Sequence, residues 1–138
     1  MNPPHYTVLV IDDDTDILEL IDDILARAGH QVVAVASGQD ALTVARSVGP
    51  DLILLDYNMP GMDGLEVLER LKSDAATQRI PVVALTAATA EQANELSRAG
   101  CIGFIPKPFD PTEFVRLVAD FLSTTVGRSR RRTPGQYE

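Results

Sequence analysis

The sequence predicts an α/β fold: a five-stranded parallel sheet, doubly wound, with helices on both faces. Three observations predict it. Short continuous apolar runs alternate five times with stretches of helical periodicity. The runs are β-branched and bounded by turn residues, as strands buried on both faces are. Strict strand–helix alternation calls for parallel pairing through right-handed crossovers.

Val8-Leu9-Val10-Ile11 is the first run and closes in Asp12-Asp13-Asp14. A helical period follows, Leu20, Ile21, Ile24, Leu25 and Ala28, ended by Gly29. Residues 31–36 form the second run. Ala41, Leu42 and Ala45 mark the second helix, stopped by Gly49-Pro50. Leu52-Ile53-Leu54-Leu55 is the third run and ends in Asp56. Leu65, Val67, Leu68 and Leu71 give the third helix. Val82-Val83-Ala84-Leu85 is the fourth run and ends in Thr86. The segment 89–99 reads as a helix ended by Gly100. Gly103-Phe104-Ile105 is a shorter fifth run leading to Lys107. Phe114, Val115, Leu117, Val118, Phe121 and Leu122 mark the fifth helix.

At 138 residues the chain is one domain, and 45% apolar residues can build a core without staples. The boundaries are an N-terminal arm at 1–5, a folded unit at 6–122 and a tail at 123–138. The tail lacks apolar periodicity and reads as a disordered basic tail or linker stub. No apolar run approaches the roughly 20 residues that span a bilayer, and residues 1–5 carry no signal pattern. One cysteine, Cys101, excludes an internal disulfide framework. A cytoplasmic protein, without membrane attachment, is expected.

The charge is uneven. The tail carries Arg128, Arg130, Arg131 and Arg132 against Glu138, a net of +3, while the other 122 residues carry 8 basic and 19 acidic groups, a net of −11. An acidic body repels phosphates, so direct DNA binding is not expected. It suits a site that collects a divalent cation.

In a doubly wound sheet the functional crevice lies at the carboxyl ends of the strands. There the sequence places three acids from strand 1, Asp56 from strand 3, Thr86 from strand 4 and Lys107 after strand 5. Clustered carboxylates repel one another unless a cation neutralises them. Oxygen donors completed by water suit Mg²⁺, with Mn²⁺ as a substitute.

Ile11-Asp12-Asp13, Asp56-Tyr57-Asn58-Met59-Pro60-Gly61-Met62-Asp63-Gly64, Leu85-Thr86-Ala87 and Lys107-Pro108-Phe109 together resemble the receiver domains of response regulators in two-component signalling. The resemblance covers 6–122. It implies a flavodoxin-like sheet of strand order 2-1-3-4-5. It implies that Asp56 accepts a phosphoryl group from a phosphohistidine, and that Asp13, Asp56 and the Asn58 backbone carbonyl ligate Mg²⁺. Asp12 would act through a metal-bound water. Lys107 would pair with Asp56 before reaction and with the phosphoryl oxygens after it, with a cis Lys107-Pro108 bond aiming the amine into the crevice. Thr86 would bond a phosphoryl oxygen, and Phe104 stands at the switch aromatic's position. Asn58 and Ala88 would tune dephosphorylation. Ile17 and Leu18 would dock the kinase.

The expected partners are a sensor histidine kinase or phosphotransfer protein, and downstream a protein effector or a lost output domain. The chain would be a switch and not a turnover enzyme. It departs from the dimerising winged-helix group, which carries acids where Cys101-Ile102-Gly103 stand; this argues against their charged dimer contacts.

Other residues read structurally. Asp14, Asp16 and Asp63 suit helix starts, and Cys101 suits packing. An aspartate-nucleophile phosphatase of the haloacid-dehalogenase kind also places an Asp-x-Asp after strand 1. Here Asp16 replaces the Thr or Val it needs, and no acid pair follows Lys107. That chemistry would phosphorylate Asp12 or Asp14 instead of Asp56.

Overall fold

The computed structural model describes residues 6–57, 59, 63–86 and 89–131, with side chains to residue 125. Ten elements alternate in order: β1 (Thr7–Ile11), α1 (Thr15–Arg27), β2 (Gln31–Val35), α2 (Gly38–Val48), β3 (Leu52–Asp56), α3 (Gly64–Ser73), β4 (Val82–Thr86), α4 (Ala90–Arg98), β5 (Gly103–Pro106) and α5 (Pro111–Arg131). The sheet is parallel in the order β2-β1-β3-β4-β5. The reversal of winding therefore falls between β1 and β3, where the family resemblance places it.

Period-two alternation sorts the sheet's side chains into two cores. Val8, Val10, Leu52, Leu54, Val83, Leu85 and Ile105 pack with Ile21 and Leu25 of α1 and Phe114, Val118 and Leu122 of α5. Leu9, Ile11, Ile53, Leu55, Val82 and Ala84 pack with Ala41 and Ala45 of α2, Leu68 and Leu71 of α3 and Leu96 of α4. β3 and β4 are buried throughout, which is why they read as unbroken apolar runs.

The helix starts are built from short polar side chains that satisfy the first free N–H groups. Asp14 accepts from the N–H groups of Asp16 and Ile17, Asp63 from that of Glu66, and Asp110 from that of Glu113. Thr89 and Gln92 form a reciprocal capping box on α4. These caps confirm the structural reading of Asp14 and Asp63. Gly49, at φ 61, closes α2 in the left-handed conformation that glycine adopts without strain.

Two expectations need correction. α5 runs to Arg131, so residues 123–131 continue a helix where the sequence pattern suggested a disordered tail. The i→i−4 ladder needs no apolar stripe to continue, and Thr124 and Thr125 add hydroxyl bonds to the carbonyls of Asp120 and Phe121. The arm at 1–5 and residues 132–138 lie outside the described residues. In α1 the buried stripe is Leu18, Ile21, Ile24 and Leu25, with Leu20 and Ala28 exposed. Leu18 therefore belongs to the core and Ile17 packs half-buried against it. The pair expected to dock a kinase is split, and Leu18 is not on offer.

Candidate functional site

Four strands deliver the site. The β1 ladder ends with the Asp12 N–H donating to the Val35 carbonyl at 3.1 Å, so Asp12 is held where β1 meets β2. Its carboxylate turns inward, is fully buried, and accepts the Asp14 N–H at 2.9 Å. Asp56 closes β3 opposite Leu85 and is 4% exposed. Thr86 closes β4 beside Pro106 and is also buried. The Lys107 N–H donates to the Thr86 carbonyl at 3.2 Å, which ties the segment after β5 to the end of β4. The Lys107-Pro108 bond is cis, as the resemblance implied.

The Lys107 amine reaches into the acids, donating to Asp12 Oδ2 at 3.0 Å and to Asp56 Oδ1 at 3.2 Å. Burial by itself would lower the amine's pKa. The hydrogen bond and charge of Asp12, and then those of Asp56, outweigh it, and the pKa is raised from its usual value. Lys107 therefore stays a cation across the physiological range.

Ligand oxygens of Asp12, Asp13 and Asp56 lie within 4.8 Å of one another. Asp13 is exposed while the other two are buried, so the cluster is open on one side. An all-oxygen, three-carboxylate set with one solvent-facing member fits a hard divalent cation that keeps part of its water shell. The expected acids thus converge.

Phe104, on β5, pairs with Ala84 and packs half-buried on the core that contains Leu96 of α4. Asn58 and Ala88, assigned to dephosphorylation tuning and, for Asn58, a metal-ligating carbonyl, lie outside the described residues. The sequence reading paired Lys107 with Asp56 alone and missed its bond to Asp12; the signal was available, since both sit at strand ends on the same crevice. It also missed Leu20, the large apolar residue that α1 does expose, beside a groove of about 480 Å³ lined by Ile24, Arg27, Pro111 and Val115. Among the described residues no helix is long and apolar enough to cross a membrane.

The chain matches the family model for the response regulator receiver domain over residues 8–119. It is 33% identical over 117 residues to the polar-differentiation response regulator DivK of Brucella ovis, covering 84% of this chain and 95% of that protein. Its structure superposes on the Vibrio cholerae chemotaxis protein CheY4 with a TM-score of 0.80 at 30% identity, over 85% of this chain and 98% of that one. It also superposes on the receiver domain of the Pseudomonas aeruginosa sensor histidine kinase PA1611, solved with a magnesium ion coordinated in the active site cleft; the TM-score is 0.77 at 26% identity, over 90% of this chain and 99% of that one.

Proposed function

The chain belongs to the response-regulator receiver family of two-component signalling, and from that premise we propose that it is a phosphorylation-controlled switch whose phosphoacceptor is Asp56. One observation carries the assignment: the Lys107 amine bridges Asp12 and Asp56 beside three clustered carboxylates. A carboxylate beside a fixed cation is a competent nucleophile for phosphorus, and phosphoryl transfer is mostly positioning and charge neutralisation. An Asp56 oxygen attacks the phosphorus of a partner's phosphohistidine, the P–N bond breaks, and the imidazole departs with its electron pair and takes up a proton. The product is an acyl phosphate on Asp56.

Lys107 is placed to follow the charge. It pairs with the Asp56 carboxylate before reaction and can bond a phosphoryl oxygen after it. Thr86, at the end of β4, supplies a hydroxyl to the same group. Asp12, Asp13 and Asp56 would hold Mg²⁺, with Mn²⁺ as a substitute. Bound there, the ion would neutralise negative charge on the transferring phosphoryl group. The magnesium in the PA1611 receiver domain supports this reading by likeness.

Phosphorylation then favours a second arrangement of α4, β5 and α5, with Phe104 following Thr86. The donor is a sensor histidine kinase or phosphotransfer protein. The readout is a protein effector or an output domain, in the cytoplasm and without direct DNA contact by this domain. The chain assists its own phosphorylation and dephosphorylation and turns over no outside substrate.

The test is radiolabelling from acetyl phosphate or a phosphorylated kinase. Wild-type protein should take up label in Mg²⁺ and take up none in EDTA. Asp56→Asn should take up none. Label persisting in Asp56→Asn at Asp12 or Asp14 would overturn the assignment.

A further inference from the structure

Among the described residues the sheet ends in two edge strands, β2 and β5, and they are built differently. β5 has four residues and closes in Pro106, which has no N–H to offer. β2 has five, Gln31 to Val35, with neither proline nor charge. The uncharged stretch is longer than the strand: no Asp, Glu, Lys or Arg occurs from Ala28 to Gln39, in a chain where 23% of residues are charged. Central strands lack charge because both faces are buried. On an edge strand charge or proline blunts pairing, and an edge without them is a template for another strand.

The ladder fixes which backbone groups β2 presents. The Gln31 N–H donates to the Tyr6 carbonyl at 2.8 Å, and the Val35 carbonyl accepts the Asp12 N–H at 3.1 Å. Residues 31, 33 and 35 therefore turn their backbone groups toward β1. Successive residues of a strand offer theirs to opposite sides, so the N–H and C=O of Val32 and Ala34 point out of the sheet. Gln31 and Ala34 are exposed, so α1 and α2 do not close over the strand. Beside it runs a groove of about 340 Å³, between Ala34 and Val35 of β2 and Asp40, Thr43 and Val44 of α2.

Charge selects the occupant. On α1, Leu20, Asp23 and Arg27 face the groove toward α5. Asp22 falls on the opposite flank of that helix, the side of β2's outer edge. Asp22 and Asp40 are exposed, and neither has an ion-pair partner among the described residues. The uncharged edge thus has one carboxylate on the α1 face and one on the α2 face. A second copy of β2 would double those negative charges, whereas a basic strand would neutralise them.

We propose that the outer edge of β2 is a docking site for an extended, basic peptide segment of a partner protein, which adds to the sheet as a sixth strand. Its backbone pairs with Val32 and Ala34, an apolar side chain enters the groove beside α2, and lysine or arginine side chains meet Asp22 and Asp40. β2 lies at the opposite edge of the sheet from β5. A partner held there leaves α4, β5 and α5 free, and the proposal does not depend on phosphorylation of Asp56.

The test is titration of the ¹⁵N-labelled full chain with a short peptide of alternating valine and lysine. Resonances of residues 31–36 should shift, and hydrogen exchange of the Val32 and Ala34 amides should slow. The same peptide N-methylated along its pairing edge keeps its charge and loses its donors. It should bind about ten-fold more weakly or worse, as for two net hydrogen bonds. Asp22→Asn combined with Asp40→Asn should weaken the unmodified peptide about two- to ten-fold, as for two exposed charge pairs, and a valine–glutamate peptide should not bind. Equal binding of the N-methylated peptide would overturn the proposal, since charge alone draws cations to an acidic protein. Shifts confined to the crevice of Asp12, Asp13 and Asp56, or no shift at millimolar peptide, would overturn it too. So would slow exchange of Val32 and Ala34 that grows with protein concentration without peptide, which would give the edge to a second copy.

Discussion

Lys107 Nζ lies 3.0 Å from Asp12 Oδ2, so the fully buried carboxylate of the crevice takes the amine as its counter-charge. Asp56 shares that amine at a slightly longer 3.2 Å. Lys107 is then a structural cation as well as a functional one, since without it three carboxylates face one another across less than 5 Å.

Lys107→Met should consequently destabilise the metal-free protein. Removing one partner of a buried ion pair costs about 3 kcal/mol, and urea denaturation in EDTA should show a loss of that order. Mg²⁺ should restore much of it and should bind the variant more tightly than wild type, because a competing positive charge has gone. The pH dependence follows from the raised pKa of Lys107. A raised pKa contributes stability that is fully present below the unfolded value of about 10.4 and is lost as pH rises through the folded one. Wild type should therefore lose stability in that alkaline window, and Lys107→Met should lack that component. Identical urea midpoints for the two proteins in EDTA would show that Asp12 does not depend on the amine.

Much of this was legible in the sequence, for a physical reason. β3 and β4 are buried on both faces, so they could only be written as apolar runs, and Asp56 and Thr86 stand out as the polar residues that end them. Asp63 was legible as a helix start because its short carboxylate has a backbone N–H to cap. Leu18 was not legible. Leu18, Leu20 and Ile21 all lie on the first turns of α1, and only packing decides the phase of the stripe; the sheet buries Leu18 and leaves Leu20 at 39% exposure. The extension of α5 to Arg131 was hidden because backbone bonding carries it without apolar periodicity.

Gly64 should tolerate no side chain. A Cβ there would sit 2.6 Å from the Asp56 carbonyl oxygen and the Tyr57 Cα, and 2.9 Å from the Tyr57 oxygen. All three are backbone atoms of the Asp56–Tyr57 segment and have no rotamer to give. Gly64→Ala should cost about 1–3 kcal/mol through overpacking. It should also slow labelling of Asp56, because relief of the clash displaces the Asp56 backbone. Urea midpoints and acetyl phosphate labelling together check this. Wild-type values in both would mean that the segment yields freely.

Cys101 should be chemically quiet. It is buried, its Sγ lies 3.0 Å from the Gly103 carbonyl oxygen, and burial raises the thiol's pKa. Thiolate is the reactive form, so a thiol reagent at neutral pH should modify native protein far more slowly than protein in urea, by about a hundred-fold or more given the opening free energies of core elements. Comparable rates in the two conditions would remove the packing role assigned to Cys101.

Thr86→Ala should separate phosphorylation from its readout. Thr86 is the last residue of β4; its backbone carbonyl anchors the Lys107 N–H, and the substitution leaves that bond in place. The lysine should thus stay aimed at Asp12 and Asp56, and labelling of Asp56 should persist. What is lost is the hydroxyl that would bond a phosphoryl oxygen. A hydrogen bond to a charged group contributes about 1.5–3 kcal/mol, which is roughly ten- to hundred-fold in a two-state equilibrium. A ligand shifts such an equilibrium only by its different contacts in the two states, so deleting one contact should pull the population back toward the resting arrangement. Phe104 rests half-buried on the core that holds Leu96 of α4, and its surroundings should report the change. Amide shifts induced by beryllofluoride in residues 90–106 should be much smaller in Thr86→Ala than in wild type, at equal occupancy of Asp56. Equal shifts in the two proteins would leave Thr86 without a part in the switch.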